Sequence, residues 1–420
     1  MALFPLAFLA LVVTGWIAAL FHRPIWGLLT YIFVYFNIPS HQWWGSLVPD
    51  LRWSLVSAGV LVASCLLHRD ALSRSKMTES AAGFFLLLFF MMVAVTSLFS
   101  PMPEVARSAV YDFFRYVVIY YLTIKIVVSC NHYRMILAVM LGSLFYMAHA
   151  AQSTHLGGRL EGFGLADAPD SNLLAALVLL LAPFCVAFMF TEKGWKRCVP
   201  IIPFLYIANM FVLCRSRGAF VGLIAQLLLA FFLLRKKIGL IKGVLICLLI
   251  GSSIFYLMDP QYKNRLLALQ KGVSEKKFEE SSAGRVEIWK RSLGITLDFP
   301  FGSGGRTYDY LSAKYLPANY ITLEGTRAAH NTFLKVLIEQ GAIGLVFFIL
   351  FLFLNFKSLY FILNKNSVGN KVFIHTFALL IGLSGFWMSA IFIDRVYFEC
   401  VYIITALTVY FTNTLNNSNS

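Results

Sequence analysis

Apolar runs of the length that crosses a bilayer, near 20 residues, recur along the chain between short polar stretches. They lie at 3–21, 51–67, 81–99, 113–129, 134–152, 172–190, 198–214, 218–234, 238–258, 331–356, 371–391 and 396–414. A shorter run, Ile25 to Ile38, lies between "HRP" and "NIPSHQWW" and reads either as a short span or as a membrane-dipping segment. The pattern predicts an all-α polytopic membrane protein with about 12 transmembrane helices. It divides the chain into an N-terminal transmembrane bundle (1–258), one long loop (259–330), C-terminal transmembrane helices (331–414) and a polar tail (415–420). In the loop, "GRVEIWKRSLGITLDFP" sets Val286, Trp289, Leu293 and Leu297 at spacings of three and four. This predicts a helix with one apolar stripe, stopped before Pro300. "FGSGG", Phe301 to Gly305, follows as a flexible turn.

The composition agrees: 59% of residues are hydrophobic and only 13% charged, too few to clothe a soluble protein of this size. Orientation follows from the cations of the short loops. "LHRDALSRSK", "EKGWKR", "LRKKIGLIK" and "NKNSVGNK" are basic and are expected in the cytoplasm, with the C-terminus. The alternate loops are poorer in cations, which puts the long loop outside. Trp43, Trp44 and Trp53 fit an interfacial aromatic belt on that side. The net charge of +15 sits largely in the inner loops, where the insertion rule and anionic lipid account for it. The bilayer, and no nucleic acid, is therefore the expected partner. The seven cysteines lie mostly in apolar runs without a C-x-x-C pair and read as packing residues. None of the eight histidines has H-E-x-x-H spacing, so neither a metal nor a cofactor is expected.

Four sets of polar residues fall on the outward side. "RSRG", with Arg215 and Arg217 before Gly218, interrupts an almost continuous apolar run. Arginine near hydrocarbon costs several kcal/mol, so the pair either snorkels to headgroups or faces an anion that its donor fork fits. Arg285 opens the loop helix after Gly284, where helix-start N–H groups also attract anions. His330 stands between Arg327 and Asn331 at the mouth of a long apolar helix. It is either a capping residue or a base that titrates near working pH. The fourth set is Arg159, Glu161, Asp170 and Asn172, in a segment that also reads as a plain loop. "FGSGG" lacks the Lys-Ser/Thr of a P-loop.

"RSRGAF", "GRVEIWKRSLGITLDFPFGSGG" and "HNTFLKVLIEQGAIGL", in this order around one outer loop, resemble the O-antigen ligase / O-antigen polymerase superfamily. The first hundred residues, including "RPIWGLLTYIFVYFNIPSHQWW", are similar to the start of the O-glycosylation ligases found with exosortase systems. The resemblance implies a metal-independent glycosyltransferase. Its donor would be an undecaprenyl-diphosphate-linked glycan, and its acceptor a glycolipid such as lipid A-core, or a glycoprotein. Arg285 and one of Arg215 and Arg217 would bind the diphosphate; Arg217, which directly precedes Gly218, is the first choice. His330 would activate the acceptor hydroxyl, with Arg327, Arg159, Asn331 and Asn172 as further substrate contacts. The same motifs serve a polymerase of lipid-linked repeat units. A transporter is the alternative of a different class, but it calls for midplane carboxylates, and the polar groups here gather at one face.

Overall fold

The computed structural model describes residues 3–155, 157–160, 162–163, 165, 167, 169–238, 282–321, 325–368 and 370–418. The chain is all-α over these residues. The expected span at 238–258 lies almost entirely outside them, as does Glu161.

In chain order the first helices are α1 (Leu3–Phe21), α2 (Pro24–Phe36), α3 (Trp53–Leu67), α4 (Ala81–Leu98) and α5 (Pro103–Ile126). Next come α6 (Cys130–Thr154), α7 (Ser171–Thr191), α8 (Ile201–Leu213) and α9 (Arg217–Ile238). The loop supplies three short helices, α10 (Ser282–Ser292), α11 (Gly294–Asp298) and α12 (Tyr308–Leu311). The chain closes with α13 (Thr332–Lys365), α14 (Lys371–Ser389) and α15 (Glu399–Ser418). Eight helices among the described residues are long and apolar enough to cross a membrane, and α3 and the first part of α15 are shorter apolar helices. The expected count of about 12 is thus not reached among the described residues. One reason is α5, whose 24 residues carry Glu104, Arg107, Asp112, Arg115 and Lys125, too many charges for an ordinary span.

The questioned run after "HRP" is a helix of 13 residues with Pro24 in its first turn, where the missing N–H costs nothing. At 1.5 Å per residue it is roughly 20 Å long, less than the hydrocarbon thickness. It need not match lipid, because it is buried on nearly every face among α1, α3, α5 and α6. Trp43 is exposed as a belt residue would be, but Trp44 and Trp53 are buried beside Phe8. Their indole N–H groups donate to the Tyr146 hydroxyl at 3.0 Å and the Pro49 carbonyl at 3.2 Å, which lets them leave the interface at little cost.

The C-terminal helices interleave with the earlier ones: α13 packs on α4, α14 lies between α7 and α9, and α15 lies on α5. Gln226 of α9 donates to the Leu179 carbonyl of α7 at 2.7 Å and the Ile381 carbonyl of α14 at 2.9 Å. Such bonds between membrane helices contribute about 0.6 kcal/mol each on average. The α13 backbone leaves helical geometry at Gly341, with φ 70°. The "FGSGG" segment is not a flexible turn. It enters this break, where Ser303 N–H donates to the Ile338 carbonyl at 3.0 Å and Gly304 N–H to the Glu339 carbonyl at 2.9 Å. A side chain at Gly302 or Gly341 would strike the other strand of the crossing at 2.6–2.8 Å, so the glycines serve close packing.

The loop helix differs from expectation. It is broken at Leu293 into α10 and α11, and Val286, Leu293 and Leu297 of the expected stripe are exposed. Ile288, Ser292 and Ile295 are the buried positions. Ser292 satisfies its hydroxyl against Tyr308 at 2.7 Å, so a polar residue joins the inner face and hides the true period.

Candidate functional site

Four helices begin at one place. Three of them, α7, α9 and α13, are fixed there by a side chain that satisfies N–H groups a helix start leaves open. Asp170 caps α7, accepting from Asn172 and Leu173 N–H at 2.9 and 3.0 Å. Ser216 caps α9, accepting from Ala219 N–H at 3.3 Å, while its own hydroxyl donates to Asn172 Oδ1 at 2.9 Å. This bond ties the start of α9 to the start of α7 and sets Arg217 as the first residue of its helix. Arg285 lies in the first turns of α10, and its Nη1 donates to the Phe392 carbonyl at 3.3 Å. Asn331 caps α13, accepting from Leu334 N–H at 3.0 Å.

His330 precedes that cap with φ 49°, a left-handed conformation that disfavours side chains other than glycine or asparagine. The segment 390–398, between α14 and α15, holds it there. Asn331 N–H donates to Asp394 Oδ1 at 2.9 Å, Thr332 N–H to the Ala390 carbonyl at 2.9 Å, and Thr332 Oγ1 to the Ile393 carbonyl at 2.6 Å. Arg395 N–H donates to Thr332 Oγ1 at 2.8 Å, and the Arg395 guanidinium pairs with Asp170. The segment also touches α9: a Cβ on Gly218 would lie 2.7 Å from that of Phe392. Only glycine at that position lets the helix start come so close.

These contacts bring together residues far apart in sequence. Burial lowers the affinity of Arg285 for its proton, and Arg217, Arg159 and Arg327 lower it further, with Asp394 opposing them. The largest charged neighbours of Arg285 are thus three other arginines. Arg215, with φ 47° in the turn before α9, is not among them. Arg159 Nε donates to the Cys214 carbonyl at 3.3 Å, which anchors its loop to the same turn. Arg327 is held through its backbone, whose N–H donates to the Asp309 carbonyl at 3.0 Å. The His330 pKa is lowered, first by burial; Asp394 raises it, Arg285 and Arg327 lower it, and Asp170 raises it. Asp394 is pushed up by burial, but Lys335, His330 and the N–H groups of Asn331 and His330 outweigh this and hold it below the usual carboxylate range. One turn below, the buried Lys335 ammonium lies 2.8 Å from Asp309 and 3.8 Å from Glu339.

The expected residues Arg159, Arg217, Arg285, Arg327 and His330 therefore share one electrostatic cluster, while Asn172 and Asn331 build its helix starts. Sequence reading missed Asp394 and Arg395. Their signal was two charges in the short "FIDRV" loop between apolar runs. Among the described residues, no group of three or more His, Cys, Asp or Glu is arranged to hold a metal ion.

Arginines gathered beside helix N-termini favour an anion, and the histidine beside them is held below its usual pKa. Residues 202–349, which contain Arg215, Arg217, Arg285, Arg327 and His330, match the family Wzy_C, described as O-antigen ligase. The chain carries an O-antigen ligase domain. No curated protein matches the chain. The O-antigen ligase family transfers lipid-linked glycans, and here its domain sits in a chain with eight helices long and apolar enough to cross a membrane among the described residues. The matched residues end within α13, so Asp394 and Arg395, which hold the turn at His330, lie outside them.

Proposed function

We propose that the chain transfers a glycan en bloc from undecaprenyl diphosphate to an acceptor hydroxyl, at the periplasmic face of the bacterial inner membrane. The observation that carries this is the convergence of Arg217, Arg159 and Arg327 on Arg285, and of Arg285 and Arg327 on His330. The acceptor oxygen attacks the anomeric carbon of the donor sugar. Its proton passes to a ring nitrogen of neutral His330, and the bond from the anomeric carbon to the diphosphate oxygen breaks. Undecaprenyl diphosphate leaves with added negative charge, which Arg285 and Arg217 meet. Because the charge grows in the transition state, fixed cations lower the barrier more than they stabilise the bound donor. Arg217 is preferred to Arg215, since it stands among the charges felt by Arg285. Arg327 and Arg159 complete the positive wall, and Asn331 and Asn172 hold it in place. Asp394 positions the His330 turn and later stabilises the imidazolium. In this reading residues 1–258 and 331–414 form the membrane bundle, and 259–330 lies on its periplasmic side.

The motifs are shared by ligases, whose acceptor is lipid A-core or a protein, and by polymerases, which join lipid-linked repeat units. The test is the glycan phenotype of a deletion. A ligase leaves lipid-linked polymer intact but unattached. Accumulation of single lipid-linked repeats identifies a polymerase instead. Normal glycans in the deletion overturn both readings.

A further inference from the structure

Two charged side chains with no part in the transfer step, Lys335 and Glu339, are buried one turn apart on α13. Beside them Leu334 and Ile338 pack with Tyr308 and Leu311 of α12. This face of α13 carries α12, a helix of only four residues. Lys335 Nζ donates to Asp309 Oδ2 at 2.8 Å, and Glu339 Oε1 accepts from Tyr308 N–H at 3.4 Å. An ammonium and a carboxylate on α13 thus meet two successive residues of α12.

From α12 the contacts run on to the cations around His330. The Tyr308 hydroxyl bonds the Ser292 hydroxyl at 2.7 Å, at the end of the helix α10 that carries Arg285. The Asp309 carbonyl accepts from Arg327 N–H at 3.0 Å. Ser312 Oγ donates to the Asp309 and Arg327 carbonyls, at 2.9 and 3.2 Å. Arg285 and Arg327 are therefore both tied to α12. His330 is tied instead to the start of α13 and to the 390–398 segment. The pair of Lys335 with Asp309 joins these two bodies.

Stability alone does not account for a lysine at this position. A buried ion pair contributes little over apolar residues that fill the same volume, whereas breaking it leaves an uncompensated charge. What the pair supplies is register. Apolar contacts would let α12 slide along α13, but the ammonium has to meet the Asp309 carboxylate. We propose that Lys335 is a positioning residue: through Asp309 it latches α12 onto α13 and so holds Arg285 and Arg327 against His330. The assignment rests on the transferase reading, in which Lys335 acts through Asp309 and not on the diphosphate.

The acid limb of the pH profile of transfer, measured on the full chain in nanodiscs, reads the latch. His330 faces Asp394, Asp170, Arg285 and Arg327. Asp309→Asn removes a carboxylate, which by charge alone would move the limb to lower pH. If the latch opens, Arg285 and Arg327 withdraw from His330 and the limb moves up, as in Arg327→Gln. The upward shift is the expected result. Lys335→Met keeps the length of the side chain without the ammonium, and transfer should fall roughly 10²-fold, as when catalytic groups are misplaced. Lys335→Arg restores the charge and should recover part of the loss. Hydrogen exchange over 306–320 and 325–330 should quicken in Lys335→Met and in Asp309→Asn, and stay unchanged over 130–154. A limb in Asp309→Asn that moves down or stays in place, wild-type transfer in Lys335→Met, or exchange unchanged in both variants would overturn the proposal. If Lys335→Met does not fold, the limb and the exchange of Asp309→Asn decide alone. Geranyl diphosphate binding to the wild type, abolished by Arg285→Ala, reports the diphosphate reading by itself. If that binding fails while exchange quickens in the variants, the diphosphate reading falls and the latch between α12 and α13 stands.

Discussion

The indole Nε1 of Trp289 donates to the carbonyl of Ala329 at 2.9 Å. Trp289 follows Arg285 by one helical turn, and Ala329 directly precedes His330. One hydrogen bond thus spaces the guanidinium against the imidazole across 40 residues of chain. Trp289→Phe keeps an aromatic ring beside Phe392 but removes the donor. A neutral hydrogen bond contributes about 1 kcal/mol, so transfer should fall roughly five-fold at unchanged membrane level. A rate equal to wild type in detergent would show that this bond does not set the spacing.

His330→Ala should insert normally and lose most transfer, because only the proton acceptor is removed. General-base contributions run to about 10²–10⁴-fold. His330→Gln retains hydrogen bonding without basicity and should be nearly as inactive. Near-normal transfer in either variant would end the assignment of His330 as base.

The arginines act on the same leaving group. Arg285→Ala or Arg217→Ala should each cost about 10²–10³-fold, as for loss of one oxyanion donor. Lysine at either position should recover part of this, since it keeps charge without the planar fork. The double variant should lose less than the product of the singles. Arg215→Ala should be the mild one. An inactive Arg215→Ala beside an active Arg217→Ala reverses the choice within the pair.

The pH profile follows from the groups facing His330. Its pKa lies below the usual histidine value because burial, Arg285 and Arg327 outweigh Asp394 and Asp170. The active form is the neutral one. Transfer should therefore persist as pH falls through about 6.5, the unperturbed value, and fail only below it. Arg327→Gln removes a cation and should move this acid limb upward. Asp394→Asn removes a carboxylate and should move it further down, while the loosened turn lowers the maximal rate. An acid limb that stays in place in both variants would show that a different group titrates.

Gly341→Ala tests the crossing that seats "FGSGG". The Gly341 backbone, φ 70° and ψ 179°, lies in a region open essentially only to glycine and costs alanine about 1–3 kcal/mol, and the added carbon would lie 2.7 Å from the Phe301 carbonyl. The expected outcome is a clearly lower unfolding temperature in detergent than for Ile343→Ala, a change at an exposed position of the same helix. Equal unfolding temperatures would mean that the crossing yields without cost.

Membrane residence, helical class and the polar motifs could be read from sequence because they depend on local chemistry. Apolar runs avoid water wherever they pack, and "RSRG" and "HNTF" break those runs visibly. The caps were read less well: the sequence put the capping role at His330 and Asp170 in a plain loop, whereas Asn331 and Asp170 satisfy the N–H groups, because which polar residue turns back on the helix depends on the path of the chain before it. Which residues meet is a different matter. Asp394 reaches Asn331 across 63 residues, and nothing in "FIDRV" states that distance. The buried face of α10 was misread because Ser292 finds Tyr308 only after folding, and a satisfied hydroxyl packs as an apolar group does. The short helix α2 spans no bilayer thickness by itself, yet its neighbours remove it from lipid and with it the need for length. Charge count and helix ends are properties of the chain. Net charge at a point, which separates an arginine cluster at His330 from the balanced pair of Lys335 and Asp309 one turn below, exists only once helices have packed.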